Sequence, residues 1–408
     1  LNYVDSATYG VWLTMSSIVG WFIFFDIGLT QGLRNKFAEA RARGEVELAR
    51  IYISTTYALL GLIFLTIWLL FLIFNNFLDW SSILNVSSDL RPDVTKLAMI
   101  VFTYFCLSFV LRIITTILLA DQLPAASSLI DLCGQIISLV VILILVKVTQ
   151  GSLVKLGLAL CVSPLLVLLG ANLLLFNGKY KKYSPSSNHV KFSYAKDLFN
   201  IGVVFFIIQI ASIIQYQTAN IIIARNFGTA DVTSYNVVYK YFGMPYMAYA
   251  IFLTPFWSAS TEAYHKNDRQ WIRNSMHRYS QLNLLIAAGC LVMLLLSGTF
   301  YRLWLGEGKV QIDFSLSFWG FVYYLVMMYG AKYVQFLNGI SALRIQFIAS
   351  IISPFLYIAT VMLLIKVFKM GVHAIFISSV IANFNGILLA PLQYRMIMKK
   401  NKVGIWTR

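Results

Sequence analysis

The feature that most constrains this chain is a series of apolar stretches, each long enough to cross a bilayer as a helix. A helix needs about 20 apolar residues to cross the hydrocarbon core, and these stretches lack the period-two alternation of strands. We therefore predict an all-α polytopic membrane protein with 11 spans in this chain. The spans lie roughly at residues 5–33, 51–79, 95–120, 124–148, 151–177, 196–224, 230–258, 279–303, 313–341, 344–368 and 370–396.

The charge of the chain predicts its orientation. Of the 408 residues 59% are hydrophobic and only 12% charged, yet the formal net charge is +16. When the spans alternate in direction, one side carries 20 Lys and Arg against seven Asp and Glu, and the other side nine against seven. The more basic side should be cytoplasmic by the positive-inside rule. We therefore predict a multi-pass protein of the bacterial cytoplasmic (inner) membrane with a cytoplasmic C-terminus, and no nucleic-acid partner for the basic residues.

A polar stretch near the middle divides the chain into two halves. It contains several lysines and the run Ser-Pro-Ser-Ser-Asn, a composition typical of a loop. We predict an N-lobe at 1–177, a cytoplasmic linker at 178–195, a C-lobe at 196–396 and a basic cytoplasmic tail at 397–408.

A weak internal repeat relates the two halves. The start of the chain aligns with the segment that begins the second span of the C-lobe, and the matched pairs are Asp5 with Asp231, Tyr9 with Tyr235 and Val11 with Val237. Internal repeats are common in transporters. The second half has six spans and the first five, so we expect one further helix before Leu1. The intact protein would then have 12 spans in two pseudo-symmetric six-helix lobes.

Basic residues inside the spans are the strongest functional candidates, because charge within a bilayer is costly. They are Arg112, Lys240 and Lys332. Lys240 is the best candidate for binding phosphate, and the alternative is a lysine that snorkels or pairs within its lobe. Arg112 could instead pair with Asp26 and Asp131, and these two carboxylates are also candidates for coupling to a cation or proton. Lys332 could line a cavity or reach towards lipid phosphate.

The span before the one that contains Lys240 carries several neutral polar residues. One arc of that helix carries Gln209, Ser212, Tyr216 and Asn220, and Asn236 shares a face with Lys240. Neutral amides suit sugar hydroxyls without burying charge. The alternative is hydrogen bonding between helices, which is common in membranes.

Catalytic and metal-binding patterns are absent from the sequence. The four cysteines and four histidines show no ligand spacing, and neither a P-loop nor a His-Asp-Ser arrangement is found. We therefore predict a protein that is not an enzyme and holds no cofactor or metal, with Na⁺ or H⁺ as the candidate coupling ion.

Two short motifs resemble a known family. The run Tyr9-Gly10-Val11-Trp12 followed by 25–34 (FDIGLTQGLR) resembles the opening of Wzx-type O-antigen and capsular polysaccharide flippases, and 220–228 (NIIIARNFG) resembles their seventh-to-eighth helix passage. These flippases belong to the MATE-like exporter superfamily (multidrug, oligosaccharidyl-lipid and polysaccharide exporters), which includes MATE drug exporters. The family often carries Asp where Thr218 or Asn220 stands here.

The resemblance implies a function and an architecture. It implies a flippase that moves an undecaprenyl-pyrophosphate-linked oligosaccharide, an O-antigen or capsule repeat unit, to the outer leaflet. Two lobes would form a V around a central cavity and alternate between inward-open and outward-open states. The implied partners are the polyprenyl-pyrophosphate-linked glycan, membrane lipids, and the polymerase or glycosyltransferase machinery of lipopolysaccharide and polysaccharide biosynthesis.

Two other functions compete with this interpretation. A MATE-type multidrug/cation antiporter needs intramembrane carboxylates, and the acidic residues of the second half all lie in loops or near helix ends. A membrane glycosyltransferase or ligase would need acidic residues on a sizeable external loop. The largest predicted outer loop, near 78–95, has little room for a folded site.

The predicted orientation can be tested with reporter fusions. Green fluorescent protein fused after the C-terminus should fluoresce, because it folds in the cytoplasm. Alkaline phosphatase fused after residue 149, in a predicted outer loop, should be active, whereas the same enzyme after residue 190 should be inactive. Activity at 190 together with inactivity at 149 would reverse the orientation.

Overall fold

A computed structural model describes residues 11–13, 15–16, 28–75, 77–83, 91–306 and 312–407. Every regular element among these residues is helical, and none is a strand. The chain divides into two compact units, Leu1–Val203 and Val204–Arg408. We call them the first and second units. An all-helical chain satisfies its backbone hydrogen bonds within each segment, as lipid requires.

Within its described residues, the first unit contains six main helices and the beginning of a seventh. The helices are α1 (Leu29–Ala42), α2 (Val46–Asn75), α3 (Arg91–Leu111), α4 (Ile113–Ala120), α5 (Pro124–Val148), α6 (Leu153–Asn177) and α7 (Ala195–Asn226), the last of which continues into the second unit. Aromatic rings join α2 to α3. Phe64 lies 5.6 Å from Phe105 and 4.5 Å from Phe109 between ring centroids.

The start of α1 packs directly on the backbone of α7. A Cβ added to Gly28 would lie 2.0 Å from the carbonyl oxygen of Gly202, and one added to Gly32 would lie 2.6 Å from that of Leu198. Gly28 also has a left-handed backbone, with φ of 65°. Small residues four apart let helices approach closely. The glycines of the FDIGLTQGLR motif therefore serve helix packing.

The segment predicted as a linker is ordered against the first unit. It forms three single 3₁₀ turns, Lys181–Tyr183, Ser187–His189 and Phe192–Tyr194. Arg50 of α2 donates to the carbonyl oxygen of Ser184 at 2.8 Å, and the amide of Lys191 donates to Thr55 Oγ1 at 3.1 Å. These contacts fasten the segment to α2.

A buried carboxylate strengthens this attachment. The Asp121 side chain is only 4% exposed and forms ion pairs with Arg41 of α1 and, at 2.7 Å, with Lys179. Tyr180 donates its hydroxyl proton to Asp121. Burial and this hydrogen bond raise the pKa of Tyr180, so the hydroxyl stays protonated and remains a donor. Asp121 thus ties the end of α4 to α1 and to the start of the linker.

The second unit is built around one central helix. Its elements are α8 (Thr229–His265), α9 (Arg269–Leu295), α10 (Ser297–Leu305), α11 (Phe314–Gly339), α12 (Arg344–Met362), α13 (Ala374–Ala382), a π-helical turn at Asn385–Leu389 and α14 (Ala390–Met398). The central helix, α11, packs against α8, α9, α13 and α14. At the α8 contact, a Cβ on Gly320 would lie 2.4 Å from Val238 Cγ1. Thr261 also donates to the carbonyl oxygen of Gly339 at 2.7 Å.

Most predicted spans correspond to apolar helices. Among the described residues, eight helices are long and apolar enough to cross a membrane, and the bent pair Ala374–Ala382 with Asn385–Met398 makes a ninth if counted as one span. The predicted span 230–258 is helical throughout α8 but is not among them, because Lys240, Pro245 and several tyrosines lower its mean hydropathy. The predicted span 5–33 lies mostly outside the described residues. The total of 11 spans, the lobe symmetry and the further helix stay predictions.

The Asp121 cluster generates a stability prediction. Asp121→Asn should lower the free energy of unfolding by about 1–3 kcal/mol, because Arg41 and Lys179 lose a buried anion. The measurement is the thermal unfolding of the purified protein in detergent. Glu45→Gln is the matched control, since Glu45 is exposed and its charge should matter little. Equal unfolding temperatures for the two variants would contradict the prediction.

Candidate functional site

The second unit contains a cavity of 370 Å³. Small-molecule sites usually measure about 300–1,000 Å³. Its walls come from α7, α8, α11, α12, α13 and the π-helical turn. Ser212 lies in the wall near the middle of the 32-residue helix α7. Transporter substrate sites commonly lie near the bilayer midplane, and Ser212 has the corresponding position along α7.

The lining of this cavity is polar but carries no charge. Its polar side chains are five amides, four serines and four tyrosines, and no Asp, Glu, Lys, Arg or His is among the described residues that line it. The polar members are Gln215, Gln335, Gln346, Asn383, Asn385, Ser212, Ser350, Ser353, Ser379, Tyr235, Tyr239, Tyr246 and Tyr323. Amides and hydroxyls both donate and accept hydrogen bonds. The lining therefore suits a ligand rich in hydroxyl groups.

One wall depends on a backbone contact between two glycines. A Cβ on Gly330 would lie 2.7 Å from the Cα of Gly386, so α11 and the π-helical turn touch at this point. Both glycines line the cavity, and so does Asn385 beside them. π-Helical turns occur frequently at functional sites. The contact places the amide of Asn385 in the cavity wall.

Three amides of the lining have an unused acceptor. Gln335 Oε1, Gln346 Oε1 and Asn385 Oδ1 are buried and accept no hydrogen bond within the described part of the chain. The whole side chain of Gln346 is well buried, since the residue is only 8% exposed. A buried polar atom without a partner is costly. The sequence analysis did not identify these three residues. They lie on α11, α12 and the π-helical turn, so no local spacing in the sequence relates them to one another.

The predicted polar stripe is only partly in this cavity. Ser212 lines it, whereas Gln209 is exposed and is not among its lining residues. Asn236 Nδ2 donates to Asn220 Oδ1 at 2.9 Å, so these two amides join α7 to α8. The side chain of Tyr216 lies outside the described residues. Hydrogen bonding between helices thus accounts for two members of the predicted set.

Lys240 is exposed on α8, and none of the described residues forms an ion pair with it. It is not part of the cavity lining, although the preceding residue, Tyr239, is. Successive helical residues point about 100° apart. Lys240 therefore faces a different direction from the cavity and remains available to an anion outside it.

Lys332 is buried on α11, with 3% exposure. Its Nζ donates to Ser280 Oγ at 2.8 Å and lies 5.4 and 5.2 Å from the ring centroids of Tyr329 and Tyr333. Cations are attracted to aromatic faces. In the part of the chain that the structure describes, no carboxylate pairs with this ammonium group. Its polar and aromatic neighbours are the Ser280 hydroxyl and the two tyrosine rings.

One of the two acidic residues predicted beside Arg112 forms an ion pair with it. Arg112 interrupts the helix between α3 and α4, and its guanidinium forms an ion pair with Asp131 at 2.8 Å. Both side chains are partly exposed, at 48% and 38%. Asp26 lies outside the described residues. Arg112 and Asp131 therefore neutralise each other within the first unit.

The chain is similar in sequence to several proteins named for O-antigen transport or export. No family model matches the chain. It is 24% identical to a Salmonella typhi protein named "Putative O-antigen transporter", over 81% of this chain and 73% of that protein. It is 23% identical to a Yersinia pseudotuberculosis protein named "Putative O-antigen export protein", over 84% of this chain and 78% of that protein. These relatives are named for transport or export rather than for catalysis.

Solved structures show the same fold. A MATE transporter in its bent conformation matches with a TM-score of 0.80 at 14% identity, covering 97% of this chain and 88% of that one. An outward-facing multidrug resistance MATE transporter of the MOP superfamily matches with a TM-score of 0.76 at 15% identity, covering 98% and 90%. Because the identity is so low, these matches establish the fold alone.

The sequence relatives and the fold agree with the resemblance seen in the motifs. A chain with the MATE architecture is similar along most of its length to proteins named for O-antigen transport. This chain is a multi-pass membrane protein with the fold of MATE transporters, and its sequence is similar to proteins named for O-antigen transport.

Proposed function

We propose that this protein is a flippase for an undecaprenyl-pyrophosphate-linked oligosaccharide, an O-antigen or capsule repeat unit. It moves the glycan and its pyrophosphate from the cytoplasmic to the outer leaflet of the inner membrane, while the polyprenyl tail stays in lipid. Two lobes, at 1–177 and 196–396, alternate in access to the two sides. The polysaccharide polymerase and the glycosyltransferases act on the same lipid-linked glycan.

One observation supports this proposal over the alternative of a multidrug/cation antiporter. The cavity of the second unit is lined by amides, serines and tyrosines, without a carboxylate among the described residues. Binding a cation in the membrane normally requires an opposing charge. A neutral, hydroxyl-rich glycan needs hydrogen-bonding partners instead. The names of the sequence relatives agree with this preference.

The charged groups of the substrate require separate partners. A pyrophosphate is an anion, and Lys240 is an exposed cation that no described residue neutralises. A hydrogen bond to a charged group contributes about 1.5–3 kcal/mol. We assign the pyrophosphate to Lys240. Coupling to Na⁺ or H⁺ would involve Asp26 in the first lobe, since Asp131 is occupied by Arg112.

The role of Lys240 can be measured by a flipping assay in inner-membrane vesicles with lipid-linked oligosaccharide. Lys240→Ala should reduce the rate by about tenfold or more, since it removes a charge-assisted contact. Lys240→Arg should retain most of the rate, because the positive charge remains. The control is Lys366→Ala, at an exposed lysine of the short helical segment Leu363–Val367 that follows α12. A full rate in Lys240→Ala would remove this residue from the mechanism.

The antiporter alternative is tested with the same vesicles. Drug efflux that depends on a cation gradient, without any flipping of lipid-linked oligosaccharide, would overturn the proposed function. The expected outcome is flipping without drug efflux.

Lys332 gives a prediction that separates function from stability. Lys332→Met should leave the unfolding temperature unchanged or higher, because burying an ammonium group without a counter-charge is costly. We propose that this cation also contributes to binding the anionic substrate, so the same substitution should lower the flipping rate. Lys147→Met, at an exposed lysine of α5, should change neither quantity. A lower unfolding temperature with a normal rate would show that Lys332 serves only the fold.

A further inference from the structure

We propose that the cavity of the second unit is a binding site for one uncharged sugar unit of the transported glycan. This inference rests on the proposed function and specifies the chemistry of its substrate. The bound unit carries hydroxyl or N-acetyl groups but no carboxylate, phosphate or amine. The site is separate from Lys240, which is not among the cavity's lining residues.

The absence of charge from the described lining determines which sugars fit. A uronic acid would bring a carboxylate among side chains that offer no cation, and an amino sugar would bring an ammonium group that meets no anion. Moving an ion out of water without a counter-charge is strongly unfavourable. Neutral sugars avoid this cost, because their hydroxyls exchange hydrogen bonds with water for hydrogen bonds with amides and serines.

The three unused acceptors indicate where the sugar hydroxyls bind. Gln335, Gln346 and Asn385 line the cavity, and their amide oxygens receive no hydrogen bond from the described residues. The terminal torsion of Asn and Gln side chains has broad preferences, so each amide can turn its oxygen towards an occupant. A hydroxyl donates to such an oxygen and also accepts from the NH₂ of the same or a neighbouring amide. The occupant would thereby satisfy polar atoms that are otherwise unpaired.

The tyrosines provide the second element of sugar recognition. Tyr239 and Tyr323 line the cavity with ring centroids 6.4 Å apart, and Tyr246 joins them through its contact with Tyr324. Aromatic rings offer an apolar face together with a polar tip. A sugar ring has the matching character, since its C–H groups form an apolar face and its hydroxyls point outward from the ring edge.

The size of the cavity restricts the occupant to a small part of the oligosaccharide. Its volume of 370 Å³ is at the lower end of small-molecule sites. A bare metal cation would leave most of this volume empty and would meet only neutral oxygens. The volume and the neutral polar lining together favour a single sugar unit.

The experiment measures binding of free sugars to the purified full chain in nanodiscs by saturation-transfer NMR. Galactose and N-acetylglucosamine are the neutral probes, and galacturonic acid is the acidic probe matched to galactose. At least one neutral probe should bind saturably, and galacturonic acid should bind about tenfold more weakly or not at all. Equal binding of galactose and galacturonic acid, or binding of neither neutral probe, would overturn the inference.

Two substitutions locate the binding in the cavity. Gln346→Leu and Gln335→Leu keep the approximate volume but remove an acceptor, and each should weaken neutral-sugar binding by about threefold to tenfold. The matched control is Ser378→Ala. Ser378 lies on α13 beside the lining residue Ser379 and is fully buried, and no described residue forms a hydrogen bond with its hydroxyl, but it is not in the lining. Its substitution should leave sugar binding unchanged.

The two proposals fail in different ways. Flipping by the intact protein, together with sugar binding that neither glutamine substitution affects, would refute the cavity site and leave the flippase standing. Sugar binding that depends on both glutamines, in a protein that does not flip lipid-linked oligosaccharide, would refute the flippase and leave the site. A lowered unfolding temperature identifies a variant that loses sugar binding through misfolding. The other glutamine variant then decides whether the cavity binds the sugar.

Discussion

The second unit depends on a contact between two backbones, where α11 meets the π-helical turn at Gly330 and Gly386. Because a Cβ at Gly330 would collide with Gly386, any larger side chain there would push the two elements apart. Protein interiors are close-packed and transmit such displacements. The contact forms part of one wall of the cavity, beside the lining residue Asn385.

Charge and polarity are distributed according to their cost in a membrane. In the first unit the buried carboxylate of Asp121 has two cations and a tyrosine hydroxyl as partners. The cavity of the second unit holds amides, serines and tyrosines, whose burial costs far less than that of ions. Lys332 is buried outside the cavity lining, where Ser280 and two aromatic rings surround its ammonium group. Where an ion is buried in these clusters, specific neighbours compensate it.

Much of the fold was predictable because the constraint of the bilayer acts on short segments. Each apolar stretch had to become a helix, and the described stretches did so, including α8 with its lysine and two prolines. The family resemblance was predictable from short motifs, and the sequence relatives and the fold confirm it. Local periodicity is sufficient for such features. Ser212 of the predicted polar stripe lines the cavity, whereas Gln209 of the same stripe does not.

The sequence by itself determined that the chain is helical, lies in a membrane and resembles polysaccharide exporters, because hydropathy and motifs are properties of adjacent residues. Only the tertiary structure decided which polar residues meet. It paired Asn220 with Asn236, and it placed Asp131, one of the two carboxylates proposed from the sequence, beside Arg112. It also brought Gln335, Gln346 and Asn385 from three separate elements to one cavity. The physical reason is that helices in lipid associate through small residues and individual hydrogen bonds, and the partners of such contacts lie far apart in the chain.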